Sequence, residues 1–127
     1  MDDYILLTDA LACGGTGKSG AHILKPATID LMRKNQQEGQ CLKDFQALKR
    51  FGYGYGLGVR TRSRFDHGVV SALGEFGWDG AAGADILIDP VHRLSMAYVQ
   101  HVLGWPGMLG AVHLQLRDVL YPILNLA

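Results

Sequence analysis

The sequence predicts an α+β fold: an antiparallel β-sheet of three to four strands, with flanking helices and a C-terminal amphipathic helix. Three observations carry that expectation. Glycine, 17 of the 127 residues, is concentrated between Gly52 and Gly83, where strands with tight turns and close backbone approaches call for it. From Gly52 the pattern has period two, with Tyr53, Tyr55, Leu57, Val59 and Thr61 alternating with Gly52, Gly54, Gly56, Gly58 and Arg60. After Pro106-Gly107, the apolar residues Leu109, Val112, Leu116, Leu120, Ile123 and Leu124 recur every three or four positions, which marks a helix able to lie on a sheet.

The elements follow in order. Residues from about Tyr4 to Ala12 suit a short helix stopped by Gly14-Gly15, with a buried strand as the weaker alternative. Gly14 to Ala21 is a polar turn-rich loop, and Ile23-Leu24 is a brief extended piece. Pro26 sits well at a first helical position, because its missing N–H would have no partner there, so a helix runs from Pro26 to about Asn35 and ends in the polar stretch Gln36 to Gln40. The period-two run at 53–61 is the first strand, with its glycine face open to close packing. Val69–Phe76, Ala82–Ile88 and Leu94–Leu103 are the next three, with Asp89-Pro90-Val91-His92 as the turn between the last two. Short connections imply antiparallel neighbours. Pro122 kinks or frays the last turn of the final helix. The chain thus reads as a single segment, 1–127, with helices and loops over 1–50, strands over 51–104 and the C-terminal helix over 107–126.

Composition narrows the function. At 48% hydrophobic and 19% charged residues, the chain can bury a core. Twelve basic and twelve acidic side chains cancel, so no net field recruits nucleic acid or an anionic membrane. The local cluster Arg60, Arg62 and Arg64 reads as one solvated strand face. No run approaches the roughly 20 apolar residues of a membrane span, and the acidic start Met1-Asp2-Asp3 is unlike a signal peptide, so the default expectation is cytoplasmic. Cys13 and Cys41 are far apart and read as free thiols. His22, His67, His92, His101 and His113 are scattered without metal-ligand spacing, so neither a metal nor a cofactor is expected.

Two short motifs invite a nucleotide. Gly17-Lys18-Ser19 closes the stretch ACGGTGKSG like a phosphate loop, and Ile86-Leu87-Ile88-Asp89 looks like a magnesium-binding strand. A phosphate loop needs a strand before it and a helix starting at its Lys-Ser, because a helix N-terminus and successive backbone N–H groups hold the anion. Here the expected helix precedes the loop, Pro26 follows too soon for a long helix to begin at Ser19, and Pro90 makes Asp89 a turn corner. Nucleotide binding is therefore the least favoured reading, and Lys18 a solvated loop residue. The stretch Gly77-Trp78-Asp79-Gly80-Ala81-Ala82-Gly83 has too many small residues for a plain strand. It is either a glycine-rich bend or a place where a ligand or another chain reaches the strand backbone.

Four segments in order, DYILLTDALACGG, ILKPATIDLMRKNQ, YGYGLGVRTRSR and GEFGWDGAAGADILIDPVHRLSMAYVQ, resemble the C-terminal part of the serine β-lactamase and penicillin-binding-protein-like superfamily. The branch they resemble comprises class C β-lactamases, D-alanyl-D-alanine carboxypeptidases and family VIII esterases. The resemblance covers about residues 2 to 103, and the final helix fits the C-terminal helix of that fold. It implies a scaffold for acyl transfer on a β-lactam, a D-alanyl peptide or an ester, in which a serine and lysine come from S-x-x-K, a tyrosine from Y-x-N, and a third motif, usually K-T-G or H-x-G, from a sheet strand. Ser19, Ser63, Ser71 and Ser95 are each followed three residues on by something other than lysine, and no tyrosine begins Y-x-N, so no catalytic residue is assigned. The resemblance implies that Trp78, Asp79 and Gly80 stand at the third motif, as in relatives with W-G-G, and that the backbone N–H of Ala81 is an oxyanion-hole donor. Trp78 in place of Lys or His puts recognition of a substrate carboxylate in doubt. Such a C-terminal fragment would be inactive alone, since a polarised carbonyl with no nucleophile or base goes unattacked. It would also lack flanking N-terminal elements, so its expected partner is that missing part or a second copy of itself. A binding or assembly module derived from the fold is the alternative.

Overall fold

The computed structural model describes residues 2–48, 51–64, 70–105, 107 and 111–126. Their order is α1 (Asp2–Ala12), α2 (Pro26–Arg33), α3 (Gly39–Ala47), β1 (Tyr53–Tyr55), β2 (Arg60–Arg62), β3 (Phe76–Asp79), β4 (Asp85–Asp89), β5 (Leu94–Tyr98) and α4 (His113–Ile123). The strands form one antiparallel meander, β1-β2-β3-β4-β5, so β3 is central and β1 and β5 are edges. This is the expected α+β class. Among the described residues no helix is long and apolar enough to cross a membrane.

α1 carries Asp2 and Asp3 in its first turn, where the helix dipole favours negative charge. It ends as expected at Gly14-Gly15: Gly15 N–H donates to Ala10 O and Gly14 N–H to Leu11 O, the paired bonds of a Schellman cap. α1 lies against β4 and β5. Its Leu11 and Ala12 join Ile29 of α2 and Phe76 and Ile88 of the sheet in the core, with Met32, Val59 and Ile86 packed around them. The strict alternation of β4 divides the two sheet faces. Ile86 and Ile88 meet this cluster, whereas Asp89 turns to α4, where Tyr121 Oη donates to its Oδ2 at 2.5 Å.

Several expectations need correction. The run 53–61 is not one strand but a hairpin, folded back at Gly56-Leu57-Gly58, where Gly56 N–H donates to Val59 O. This hairpin brings the expected antiparallel sheet to five strands. The glycine face of this run does admit close packing: a Cβ at Gly56 would stand against the Met32 carbonyl oxygen at the end of α2. The second expected strand begins only at Phe76, because Ser71 to Glu75 is a turn; Val69 lies outside the described residues. α2 stops at Arg33, two residues early. α3 was hidden behind the polar run at 36–40. Arg60 and Arg62 are buried rather than solvated. The apolar stripe expected on α4 only flanks its buried face, with Val112, Leu116 and Leu120 half-buried. Ile123 is 71% exposed, while His113, Arg117 and Tyr121, spaced four apart, are buried against the sheet. Leu109 lies outside the described residues.

Several of the polar side chains buried under α4 pair with one another. Tyr53 Oη donates to Glu75 Oε2 at 2.7 Å and accepts from Arg117 Nη1 at 2.7 Å, while Arg62 Nη1 donates to the carbonyl of Ser71. Asp89 caps its own turn, accepting from the backbone N–H of Val91 and of His92, and also meets His92 Nδ1 at 2.7 Å. Burial pushes the Asp89 carboxyl up, but the His92 and Tyr121 hydrogen bonds more than offset it and hold the group below its ordinary value. Because the folded value is depressed, this stabilisation is complete above the unfolded carboxylate value, about 3.9, and drains as pH falls through the lower folded value. Tyr121→Phe is expected to cost about 1.5–3 kcal/mol near neutrality, as for a hydrogen bond to a charged group. In urea titrations its deficit should narrow as the pH falls below about 4.

Candidate functional site

The site is built on the central strand. Phe76 and Trp78 are two residues apart on β3; Phe76 is fully buried in the core, but Trp78 remains 39% exposed. Beside them a groove of about 370 Å³ opens between the sheet and the helices, walled by Leu7 and Leu11 of α1, Met32 of α2 and Val59, with Ile86 on the sheet side and Gly80 at one end. That volume falls at the small end of the range for small-molecule pockets, about 300–1,000 Å³. Trp78 is held at the mouth by two further rings. Its ring centroid is 5.1 Å from that of Tyr55, edge-on, and 6.4 Å from that of Phe45, near-parallel; Phe45 and Tyr55 are themselves 5.5 Å apart.

Asp79 borders the groove, but alternation along β3 and its pairing with Asp85 put its carboxylate on the α4 side of the sheet, where Oδ1 is 3.6 Å from Arg60 Nη1. The same guanidinium reaches Asp85 Oδ1 at 3.2 Å and Glu75 Oε1 at 3.7 Å. Burial works against the Arg60 cation, yet Glu75, Asp85, Tyr53 and Asp79 together hold its pKa above the ordinary value. The Tyr53 hydroxyl is pushed up by burial first and by Glu75 second.

β3 ends at Asp79, and the glycine-rich stretch after it is a closed turn: Gly80 N–H donates to Ala84 O and Gly83 N–H to Gly80 O. Trp78 and Asp79 thus belong to a strand, and the bend begins at Gly80. Ala81 is exposed in this turn, and its N–H has no acceptor among the described residues. The structure therefore brings Trp78, Asp79 and Gly80 to one groove and sets Ala81 just beyond its end. Sequence reading missed Phe45 and Tyr55. The apolar spacing of Leu42, Phe45 and Leu48 was the available signal for a helix there.

Other chemistry-bearing residues lie elsewhere. Ser71 is buried, accepting from Arg62 Nη1 and donating to Glu75 Oε2. Ser63 Oγ donates to Gly52 O, and Ser19 Oγ accepts from Ala21 N–H. The loop Gly17-Lys18-Ser19 follows a helix, is spanned by a bridge between Thr16 and His22, and places Lys18 Nζ 4.0 Å from Asp9 Oδ2. Neither a strand before it nor a helix start at Ser19 is present, so the element pattern of a phosphate loop is not met. Cys13 and Cys41 are free, and among the described residues no group of three His, Cys, Asp or Glu could hold a metal ion.

No family model and no curated protein sequence matches the chain. Among solved structures, it is similar to simvastatin synthase (LovD) from Aspergillus terreus, unliganded, with a TM-score of 0.71 and 16% identity over 98% of this chain and 34% of that one. The chain thus spans about a third of the length of the solved structure it matches. At that identity the likeness speaks for the fold alone: this α+β chain with its five-stranded antiparallel sheet has a β-lactamase-like fold.

Proposed function

We propose that this chain is the C-terminal sheet portion of a β-lactamase-like serine hydrolase, carrying one wall of an acyl-transfer site whose reactive serine and base come from residues outside it. The observation behind the reading is the position of Trp78, Asp79 and Gly80 on and after the central strand, bordering a groove, with the N–H of Ala81, which has no acceptor among the described residues, in the turn that follows. In that reading the Ala81 N–H faces the oxygen of an attacked acyl carbonyl and stabilises the charge that develops there. The parent's substrate is a β-lactam, a D-alanyl peptide or an ester. Incubation of the pure chain with a chromogenic cephalosporin and with short acyl esters is expected to give no turnover and no mass increase. An acyl adduct on Ser19, Ser63, Ser71 or Ser95 would sink the proposal.

A second reading, an assembly module that keeps the sheet without the chemistry, is favoured by one feature. β5 pairs with β4 alone among the described strands, and beyond it Val99, Val102 and Leu103 are exposed. Both readings predict that the isolated chain self-associates, because an open edge beside apolar surface is repaired by pairing. Sedimentation velocity should show a concentration-dependent oligomer. Only the hydrolase reading predicts that a longer parent polypeptide, carrying S-x-x-K ahead of this chain, is acylated by the same esters.

A further inference from the structure

A second cavity, of about 300 Å³, opens where the end of α1, the side of α2 and the turn from β4 to β5 come together. Its charged residues are Asp30 and Arg33 from α2 and Arg93 from the turn. Arg33 is held in one orientation. Its Nε and Nη2 donate to Asp30 Oδ1 at 3.1 and 2.8 Å and its Nη1 donates to the Gly74 carbonyl at 3.0 Å, so three of its five N–H groups are used and two remain. Arg93 is exposed, and among the described residues its guanidinium has no partner. Two guanidinium groups less one carboxylate leave the cavity a single positive charge. The end of α1 does little to oppose an anion, because the carbonyl oxygens of Asp9, Ala10 and Leu11 already accept from the N–H groups of Cys13, Gly15 and Gly14. The apolar part of the wall comes from Leu11 and Ile29 of the core and from the rings of Pro26 and Pro90.

We propose that this cavity binds a small arylcarboxylate of benzoate size, its carboxylate held by Arg33 and Arg93 and its ring by the apolar wall. The planar guanidinium fork matches a carboxylate in shape and charge, and a volume at the low end for ligand pockets suits one ring rather than a larger body. One net positive charge is balanced by a monoanion, whereas a dianionic phosphate ester would keep a negative charge unpaired. Asp30 carries the same sign as the ligand, but its Oδ1 is covered by Arg33 and its side chain is 63% exposed, so water and salt screen it. The site shares no charged residue with the groove beside β3 and does not depend on the acyl-site reading.

The test uses the chain as it stands and its two thiols. Cys13 is an exposed free thiol on the cavity wall, and Cys41 is an exposed free thiol on α3, outside the cavity lining. Their rates of alkylation by iodoacetamide therefore give a local reporter and an internal control. Saturating benzoate is expected to slow alkylation of Cys13 and leave that of Cys41 unchanged. Benzamide, of the same shape without the charge, should protect Cys13 with about tenfold lower affinity or worse, the loss of one charge-assisted pair. Phenyl phosphate should protect no more tightly than benzoate. Arg93→Asn should weaken protection by benzoate about fivefold or more. Arg93 lies at φ 53°, a left-handed conformation that asparagine also adopts, so this replacement keeps the turn. Benzamide protecting as well as benzoate, protection unmoved by Arg93→Asn, both thiols slowed alike, or no protection by benzoate overturns the proposal. Tighter protection by phenyl phosphate overturns the assignment to a monoanion.

Discussion

Arg60→Met is expected to destabilise the chain by about 3–5 kcal/mol, the range for breaking a buried ion pair by removing one partner. The Arg60 side chain is 10% exposed, and three carboxylates face it: Asp85 at 3.2 Å, Asp79 at 3.6 Å and Glu75 at 3.7 Å. Methionine replaces the aliphatic stem with little change in packing, so the loss reports the charge. Three acids then remain buried together without the guanidinium they share. Urea unfolding at pH 7.5 should show this deficit in full. A loss below about 1 kcal/mol at pH 7.5, the level of an exposed ion pair, would show that solvent reaches this cluster.

That cluster also marks the limit of what the sequence could tell. The end of α1 was legible because Gly14-Gly15 encodes a local cap, and the β4–β5 turn because Asp89 bonds the N–H groups of Val91 and His92 directly. Both are settled within a few residues. The burial of Arg60 is not, since its carboxylates come from residues 75, 79 and 85 and the covering helix from 113 to 123. Alternation in β2 shows that Arg60 and Arg62 share a face, but not whether that face meets water or α4. The error on α4 has the same origin. The spacing of its leucines and isoleucines marks an apolar stripe, yet the sheet face it meets presents Tyr53, Glu75, Asp85 and Asp89. The complementary stripe is His113, Arg117 and Tyr121. At the candidate site, the order of Trp78, Asp79 and Gly80 could be quoted from the sequence. The rings that hold Trp78 could not, because Phe45 sits on a helix masked by a polar run and Tyr55 on a strand whose hairpin turn looked like more of the same strand.

Gly77→Ala is expected to cost about 3 kcal/mol or more, at the upper end for overpacking, although it adds a single methyl group. Gly77 lies between Phe76 and Trp78, opposite Arg60 on β2 and Leu87 on β4. A Cβ at this position would stand well inside van der Waals contact with the carbonyl oxygen and carbon of Ile86, which are backbone atoms. No rotamer change relieves such a clash; β3 and β4 must separate, and β3 is the middle strand of five. Gly80, three residues on, is the internal control. A Cβ there would meet the Ala84 methyl at 3.6 Å, an ordinary contact, so Gly80→Ala should stay within about 0.5 kcal/mol of the unaltered protein. Moving β3 also moves Trp78 against Tyr55 and Phe45, so Gly77→Ala should shift tryptophan fluorescence in the native state, whereas Gly80→Ala should leave it in place. Two variants of equal stability would mean that the close approach of β3 to β4 is not what positions Trp78 over the groove.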